Sequence, residues 1–206
     1  MLLRREDGRN DLEKNETLLK MHKLHRCNRK EEPEEGKAMA LFEKFGEMDS
    51  VEEINLAAAG LKAEGDIESL KELARENGLD DDDTEDYVED LVTQLIPTPA
   101  FGAVAKVRLE VQENKKLYEM QDLINDWIGY IKLEASESEE FARAVRKRGK
   151  RVKDCIAEIL KWSFSHQIEL DNELIKAAGV NAGRVTIGVP GMRIARELIR
   201  EYYLGE

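Results

Sequence analysis

The feature that most constrains this chain is a long stretch without helix breakers. Between residues 100 and 133 there is no proline, and after Gly102 the next glycine is Gly129. Apolar residues recur there every three or four positions, which is the spacing of one helix face. These apolar residues are Val104, Val107, Leu109, Val111, Leu117, Met120, Leu123, Ile124, Trp127, Ile128 and Ile131. The pattern predicts either one long helix or two helices stacked end to end.

The rest of the chain also favours helices. Only four prolines occur in 206 residues, and Ser50 and Asp66 stand where helix N-caps are expected. Residues 151–166 predict a helix with Leu160 and Phe164 on its apolar face, and only 184–190 has the composition of a strand. The predicted fold is therefore mainly α, a bundle of six to eight helices with one short extended segment near the C-terminus.

Charge divides the chain unevenly. The net charge is −12, but residues 141–206 hold 13 Lys/Arg and 8 Asp/Glu, whereas the remaining 140 residues hold 19 and 36. The C-terminal part thus carries +5 and the rest −17, which indicates two surfaces with different partners or two parts that attract each other. We predict a charged, partly helical N-terminal extension (1–47), an acidic helical region (48–135) and a basic C-terminal helical unit (136–206).

Several classes of protein are excluded by what the sequence lacks. No run of about 18 apolar residues predicts a membrane span, and the first ten residues lack the apolar core of a secretory signal. We therefore expect a cytoplasmic protein in which Cys27 and Cys155 are reduced thiols. His22, His25 and Cys27 do not form a zinc pattern, and His166 fits a capping or surface position. No nucleotide-binding or hydrolase motif occurs, so we expect no cofactor, no metal and no enzymatic activity.

The clearest candidate site is a basic segment at residues 143–153. It spans a predicted helix end, a glycine turn and a helix start, so several cations can point the same way. Its cations are Arg143, Arg146, Lys147, Arg148, Lys150, Arg151 and Lys153. Such clustering is typical of phosphate-backbone binding. Two other interpretations stay open: contact with an acidic protein surface, and a structural role at a helix C-terminus or against the acidic half.

A second candidate is an acidic run at residues 80–86. Carboxylates in the first turn of a helix are stabilised by the positive end of its dipole. The run lacks the central glycine and the closing Glu of a calcium loop, so calcium is not expected. As a partner-binding surface it would consist of Asp80, Asp81, Asp82, Asp83, Glu85 and Asp86.

The C-terminal third resembles a known family. The basic lead-in, the segment Lys153–Ile159, the run Val185–Pro190 and the pair Tyr202-Tyr203 are similar to the PcfK-like proteins of conjugative elements in Gram-positive bacteria. The resemblance covers residues 141–204. It departs at Glu201, where the family often has His, and at the end of the chain, where the family tends to have an acidic tail. It implies a setting in plasmid transfer or an integrated mobile element.

Two functions follow as expectations. The first is a non-enzymatic accessory protein of a mobile genetic element that binds nucleic acid or a protein partner through its basic segment. The alternative is an inhibitor of a host defence nuclease, of the anti-CRISPR type, in which the acidic surface competes for a cationic nucleic-acid channel. Neither expectation fixes the oligomeric state.

Overall fold

The chain folds mainly into helices. The computed structural model describes residues 42–115 and 122–205. The helices in these ranges are α1 Val51–Glu64, α2 Ile67–Glu76, α3 Asp81–Val88, α4 Pro99–Glu113, α5 Asp122–Glu137, α6 Glu139–Arg146, α7 Val152–Ser165, α8 Asn172–Ala177 and α9 Met192–Leu204. The predicted fold class is confirmed, with nine helices in the described ranges rather than six to eight.

The expected extended segment is one strand of a small sheet. Strand β1, Ile168–Glu169, pairs antiparallel with β2, Thr186–Ile187, and Ile168 lies opposite Ile187. β1 escaped prediction because two residues are too few to show an alternating pattern. Beside the sheet, a Cβ added at Gly188 would lie 2.2 Å from the carbonyl oxygen of Ser163. Only glycine allows the strand to lie that close to the end of α7.

Side-chain caps define where several helices begin. The Ser50 hydroxyl accepts a hydrogen bond from the N–H of Glu53, and Asp66 and Thr98 cap α2 and α4 in the same way. Each cap satisfies an N–H group that the helix leaves unpaired, which stabilises the fold by about 1 kcal/mol. Helix α6 begins after Ser138, which accepts from the N–H of Phe141.

The apolar side chains form two core clusters, and α4 contributes to both. Its Ala103 and Val107 pack in a cluster with residues of α5, α6, α7 and α9, whereas Ala105 packs in a cluster with α1 and α2. The prediction that residues 100–133 form one helix or two stacked end to end was wrong. Helices α4 and α5 pack against each other, because each carries an apolar stripe that the other buries.

The C-terminal end of helix α7 is less buried than its apolar spacing predicts. The expectation that Phe164 lies on the inward face of α7 was wrong, because its side chain is 75% exposed. Leu160, one turn earlier, is also exposed.

The structure tests the three predicted regions to different extents. Most of the N-terminal extension, with His22, His25 and Cys27, lies outside the described residues. The boundary between 48–135 and 136–206 stays a prediction, although helices from both sides share the larger core cluster. Among the described residues, no helix is both long enough and apolar enough to cross a membrane.

Candidate functional site

The basic segment lies where α6 ends and α7 begins. Helix α6 closes at Arg146, residues 147–151 form the connecting turn, and Gly149 adopts a φ of +76°, in the left-handed region that favours glycine. This turn packs against the residues that precede α1, which bring Glu47 and Asp49 to it. The cations of the segment therefore meet acidic side chains from about 100 residues earlier in the chain.

Arg146 lies in the interior of the protein. Its side chain is only 1% exposed, and its Nη2 donates to the carbonyl oxygen of Met48 (3.3 Å) and to Oδ1 of Asn77 (3.0 Å). Burial lowers the pKa of Arg146 to about 10. A guanidinium held in this way cannot reach the phosphates of a nucleic acid at the surface.

Glu47 is the centre of a partly buried ion-pair network. Its carboxylate accepts hydrogen bonds from Lys106 Nζ (2.9 Å), Arg151 Nη2 (3.0 Å) and the N–H of Gly149 (3.1 Å). Burial alone raises the pKa of Glu47, but these hydrogen bonds outweigh it and hold the pKa below the ordinary 4.5. Lys106 is 1% exposed, and burial lowers the pKa of its ammonium group.

Glu110 joins the same network from the next turn of α4. Its Oε2 accepts the N–H of Val152 (2.7 Å), the first residue of α7, and its Oε1 lies 3.5 Å from Arg151 Nη1. Burial raises the pKa of Glu110 despite both contacts. We call Glu47, Lys106, Glu110 and Arg151 the ion-pair network. It ties α4 to the turn between α6 and α7.

The outer cations of the segment have partners too. Arg143 pairs with Glu52 (2.8 Å) and Glu139 (2.9 Å). Arg148 Nε donates to the carbonyl oxygen of Glu47 (2.9 Å), and the Arg148 N–H donates to Asp49 (2.7 Å).

Lys150, Lys147 and Lys153 complete the basic segment. Lys150 donates to the carbonyl oxygen of Tyr202, and its Nζ lies 4.6 Å from the centre of the Tyr202 ring. The side chains of Lys147 and Lys153 are exposed and have no ion pair with another described residue. Five of the seven predicted contact residues therefore use their charge within the protein.

The acidic run lies on the surface of α3 and the residue before it. Asp80 caps the helix by accepting the N–H of Asp83 (2.9 Å). Asp81, Asp82 and Asp86 are exposed, and Glu85 lies 3.7 Å from Lys71. Burial, together with the neighbouring Asp80, raises the pKa of Asp83. The carboxylates therefore repel one another, and the described residues compensate this through Lys71, Arg108 and the helix dipole.

Two exposed apolar side chains adjoin this run. Helix α3 ends at Val88, and Asp90, two residues later, has a φ of +62°. The N–H groups of Asp90 and Leu91 donate to the carbonyl oxygens of Tyr87 (3.3 Å) and Asp86 (2.9 Å). This helix-ending motif commonly buries the residue at the Leu91 position against the last turn. Here the opposing residue is Asp86, and Leu91 stays 68% exposed with Val92 beside it.

Lys62 fixes this end of the helix. Its Nζ donates to Asp90 Oδ1 (2.6 Å) and lies 4.6 Å from the centre of the Tyr87 ring. We call Asp80–Asp83, Glu85, Asp86, Leu91 and Val92 the acidic face. It combines carboxylates with an apolar edge on a helix whose two ends are held in place.

The network residues Glu47, Lys106 and Glu110 were missed from the sequence. A signal for two of them exists, since Lys106 and Glu110 are four residues apart and both interrupt an otherwise apolar helix face. No such signal exists for Glu47. His166 is the C-cap of α7 and is exposed, in agreement with the expected capping or surface position, and its ring stacks on Trp162 with ring centres 4.2 Å apart.

Comparison of the chain with protein-family models, curated proteins and solved structures finds no match. The resemblance of residues 141–204 to the PcfK-like proteins therefore stays a prediction. Within the ranges that the structure describes, no three His, Cys, Asp or Glu side chains come together as a metal site.

Proposed function

We propose that this chain is a non-enzymatic binding protein whose acidic face docks on a positively charged surface of another protein. The observation that carries the proposal is the contrast between the two candidate sites. The basic segment uses most of its cations in internal contacts, whereas Asp81, Asp82 and Asp86 point carboxylates at solvent without an ion pair to a described residue.

The composition of the acidic face supports a protein partner. An interface gains most from an apolar centre that excludes water, with polar and charged groups around it. Leu91 and Val92 supply exposed apolar side chains next to the carboxylates. Complementary charge would then raise the association rate and select a cationic partner.

A nuclease with a cationic nucleic-acid channel is one partner of this kind, as the hypothesis of a defence-nuclease inhibitor requires. The resemblance to PcfK-like proteins supports a mobile-element setting, and the unpaired thiol of Cys155 supports a cytoplasmic one. The acidic face serves either setting, because both supply nucleic-acid-binding proteins as partners.

The test uses a fluorescent peptide of about 20 residues, rich in Lys and Arg, as a defined cationic probe. Its affinity is measured by anisotropy at about 50 and 300 mM salt, since exposed charges are screened over about a Debye length. The variant Asp81→Asn/Asp82→Asn removes two carboxylates from the acidic face. The matched control Asp126→Asn/Glu201→Gln removes two exposed carboxylates elsewhere.

We expect the acidic-face variant to weaken binding at least tenfold and the control less than twofold. The variant Leu91→Ser should weaken binding at both salt concentrations, because the apolar contact is not screened. Equal losses in the two charge variants would show that the probe senses only net charge, and would refute a defined acidic face.

A further inference from the structure

A cavity of about 510 Å³ lies between the start of α1 and the end of α6. Its walls come from the first residues of α1, from Pro99 at the start of α4, and from α6 and the turn that follows it. Cavities that bind small ligands commonly have volumes of about 300–1,000 Å³. This cavity therefore has room for a small molecule, and the charges in its walls indicate which kind it would bind.

Cations outnumber carboxylates in the walls of this cavity. Two carboxylates and four cations line it: Asp49, Glu52, Arg143, Arg146, Lys147 and Arg148. Both carboxylates are engaged, because Glu52 pairs with Arg143 (2.8 Å) and Asp49 lies 3.9 Å from Arg148 Nη2. Two of the four positive charges therefore have no carboxylate partner among the described residues.

Arg146 carries the first of these two charges. Its side chain is 1% exposed, and its Nη2 donates to neutral acceptors, the carbonyl oxygen of Met48 and Oδ1 of Asn77. Its Nε and Nη1 are buried and have no hydrogen-bond partner among the described residues. A buried cation is costly without a counter-charge, and its field is weakly screened in the interior. The wall of the cavity therefore holds a positive charge that a bound anion would neutralise.

The ion-pair network leaves this charge in place. The network consists of two carboxylates and two cations that contact one another, so its own charges balance. Glu47, Glu110 and Glu53 stabilise the charged form of Arg146 across a distance, but the hydrogen bonds of Arg146 go to Met48 and Asn77 instead. The guanidinium of Arg146 is therefore in excess of the carboxylates that are paired around it.

Lys147 and the start of α1 add two further attractions for an anion. Lys147 is exposed and has no ion pair with a described residue. Ser50 and Val51 line the cavity at the N-terminus of α1, a helix of 14 residues. A helix N-terminus favours anions because its first N–H groups and its dipole present positive charge. A buried cation, an exposed cation and a helix N-terminus thus meet at one cavity.

We propose that this cavity binds the phosphate group of a small molecule. The two unpaired positive charges match the charge of about −1.5 to −2 that a phosphate group carries at pH 7, whereas a carboxylate would neutralise one of them. Lys147 and the start of α1 contact the phosphate, and Arg146 acts through its charge from the wall. A single phosphate group does not need the row of exposed cations that a nucleic-acid backbone requires. The proposal does not depend on the role of the acidic face.

The test is calorimetric titration of the full chain with inorganic phosphate, with phenyl phosphate and with acetate. The ionic strength is held at about 100 mM, where the Debye length is about 10 Å. We expect at least one of the two phosphates to bind with a dissociation constant below about 1 mM, and acetate to bind at least about tenfold more weakly. The tighter of the two phosphates then tells whether the cavity holds free phosphate or a phosphomonoester.

A pair of N-cap variants tests the place of binding. Ser50→Asp keeps a good N-cap for α1, because Asp caps helices as well as Ser does, but it puts a carboxylate into the wall of the cavity. Ser138→Asp makes the same change at the N-cap of α6, and Ser138 does not line the cavity. We expect Ser50→Asp to weaken phosphate binding at least about tenfold and Ser138→Asp less than about twofold. Circular dichroism confirms that both variants fold.

A pair of lysine variants tests the exposed cation. Lys147→Ala removes an unpaired charge from the wall of the cavity, whereas Lys153→Ala removes an equally exposed and unpaired charge outside it. We expect the first change to weaken phosphate binding about twofold to fivefold and the second to leave it unchanged.

Each of three outcomes would overturn the proposal. One is the absence of any heat of binding with both phosphates up to about 10 mM. Another is acetate binding as tightly as phosphate, since the cavity would then not select a doubly charged anion. The last is an equal loss in Ser50→Asp and Ser138→Asp, which would place the anion elsewhere on the chain.

Discussion

The ion-pair network makes an asymmetric prediction about its two closest partners. In Glu47→Gln, the ammonium group of Lys106 stays buried and loses the carboxylate that accepts its hydrogen bond, while the carbonyl oxygens of Arg146 (3.4 Å) and Lys147 (3.1 Å) remain. In Lys106→Met, by contrast, the carboxylate of Glu47 keeps Arg151 and the N–H of Gly149. The first change takes the hydrogen-bonded counter-charge from a buried ammonium group, which then has only the Glu110 carboxylate of the network near it. The second change leaves Glu47 with a cationic partner.

Removal of one partner of a buried ion pair lowers the free energy of unfolding by about 3–5 kcal/mol when the other charge stays buried without compensation. Replacement of a buried ion by an apolar residue can be nearly neutral. We therefore expect Glu47→Gln to lower the free energy of unfolding by about 3 kcal/mol and Lys106→Met by about 1 kcal/mol. For a chain of this length, about 3 kcal/mol lowers the Tm by roughly 6–12 °C.

The assay is a double-mutant cycle in urea, followed by circular dichroism at pH 7. The double variant should lose about as much free energy of unfolding as Lys106→Met alone. Without Lys106, the change Glu47→Gln no longer leaves a buried ammonium group without its hydrogen-bonded carboxylate. The coupling energy should thus reach about 3 kcal/mol. Equal losses in the two single variants, with a coupling below about 0.5 kcal/mol, would refute the assignment of Glu47 and Lys106 as one buried pair.

Three further predictions follow from single sites. Gly78 has φ +77°, and a Cβ there would lie 2.5 Å from the carbonyl oxygen of Ala105, so Gly78→Ala should cost more than about 2 kcal/mol in urea. Gly60→Ala, which meets no atom inside α1, should gain about 0.5–1 kcal/mol; equal effects of the two changes would contradict the close approach. Burial raises the pKa of Cys155 to about 12, so a Cys27→Ser variant should react with a thiol reagent only after unfolding, and rapid labelling of the native chain would contradict this. The pKa of Glu47 lies below 4.5 when folded, so its stabilisation is present above pH 4.5 and is lost as the pH falls through the folded pKa. The difference in stability between wild type and Glu47→Gln should therefore narrow below pH 4.5, and a constant difference down to pH 3 would contradict the network.

Local chemistry explains what the sequence predicts well. Ser50 and Asp66 cap helices as expected, because an N-cap depends on residues only three apart. The helical class follows from apolar spacing in the same way. The pairing of α4 with α5 could not be predicted, because a continuous apolar stripe looks the same whether two helices stack end to end or fold against each other.

Whether the cations of the basic segment are available to a partner depends on contacts with residues that are distant in sequence. Arg146 follows Ala142 by four positions and adjoins Val145, so its place on the inward face of α6 was open to prediction from helical spacing. Its acceptors Met48 and Asn77, however, come from other elements. The capture of Arg151 by Glu47 spans 104 residues, and no local pattern encodes such a pair.

One consequence concerns experiments on the basic segment itself. Arg146→Ala would leave Asn77 without its hydrogen-bond donor, and Arg151→Ala would take a cationic partner from Glu47 and Glu110. A loss of binding in those variants would therefore report unfolding. Lys147 and Lys153 are the appropriate residues to change, because their side chains are exposed and form no ion pair with another described residue.

The most direct test of the account is a salt-titrated gel shift of the intact chain with duplex DNA and single-stranded RNA. Lys147 and Lys153 are the cations of the basic segment without an ion pair to a described residue. Together they neutralise about two phosphates, so the segment contributes about −2 to the slope of log affinity against log salt. We predict no shift at about 50 mM salt with about 10 µM protein. A shift under these conditions with a slope steeper than about −4, reduced by Lys147→Ala/Lys153→Ala, would show that the basic segment binds nucleic acid and would contradict the assignment of its charge to the fold.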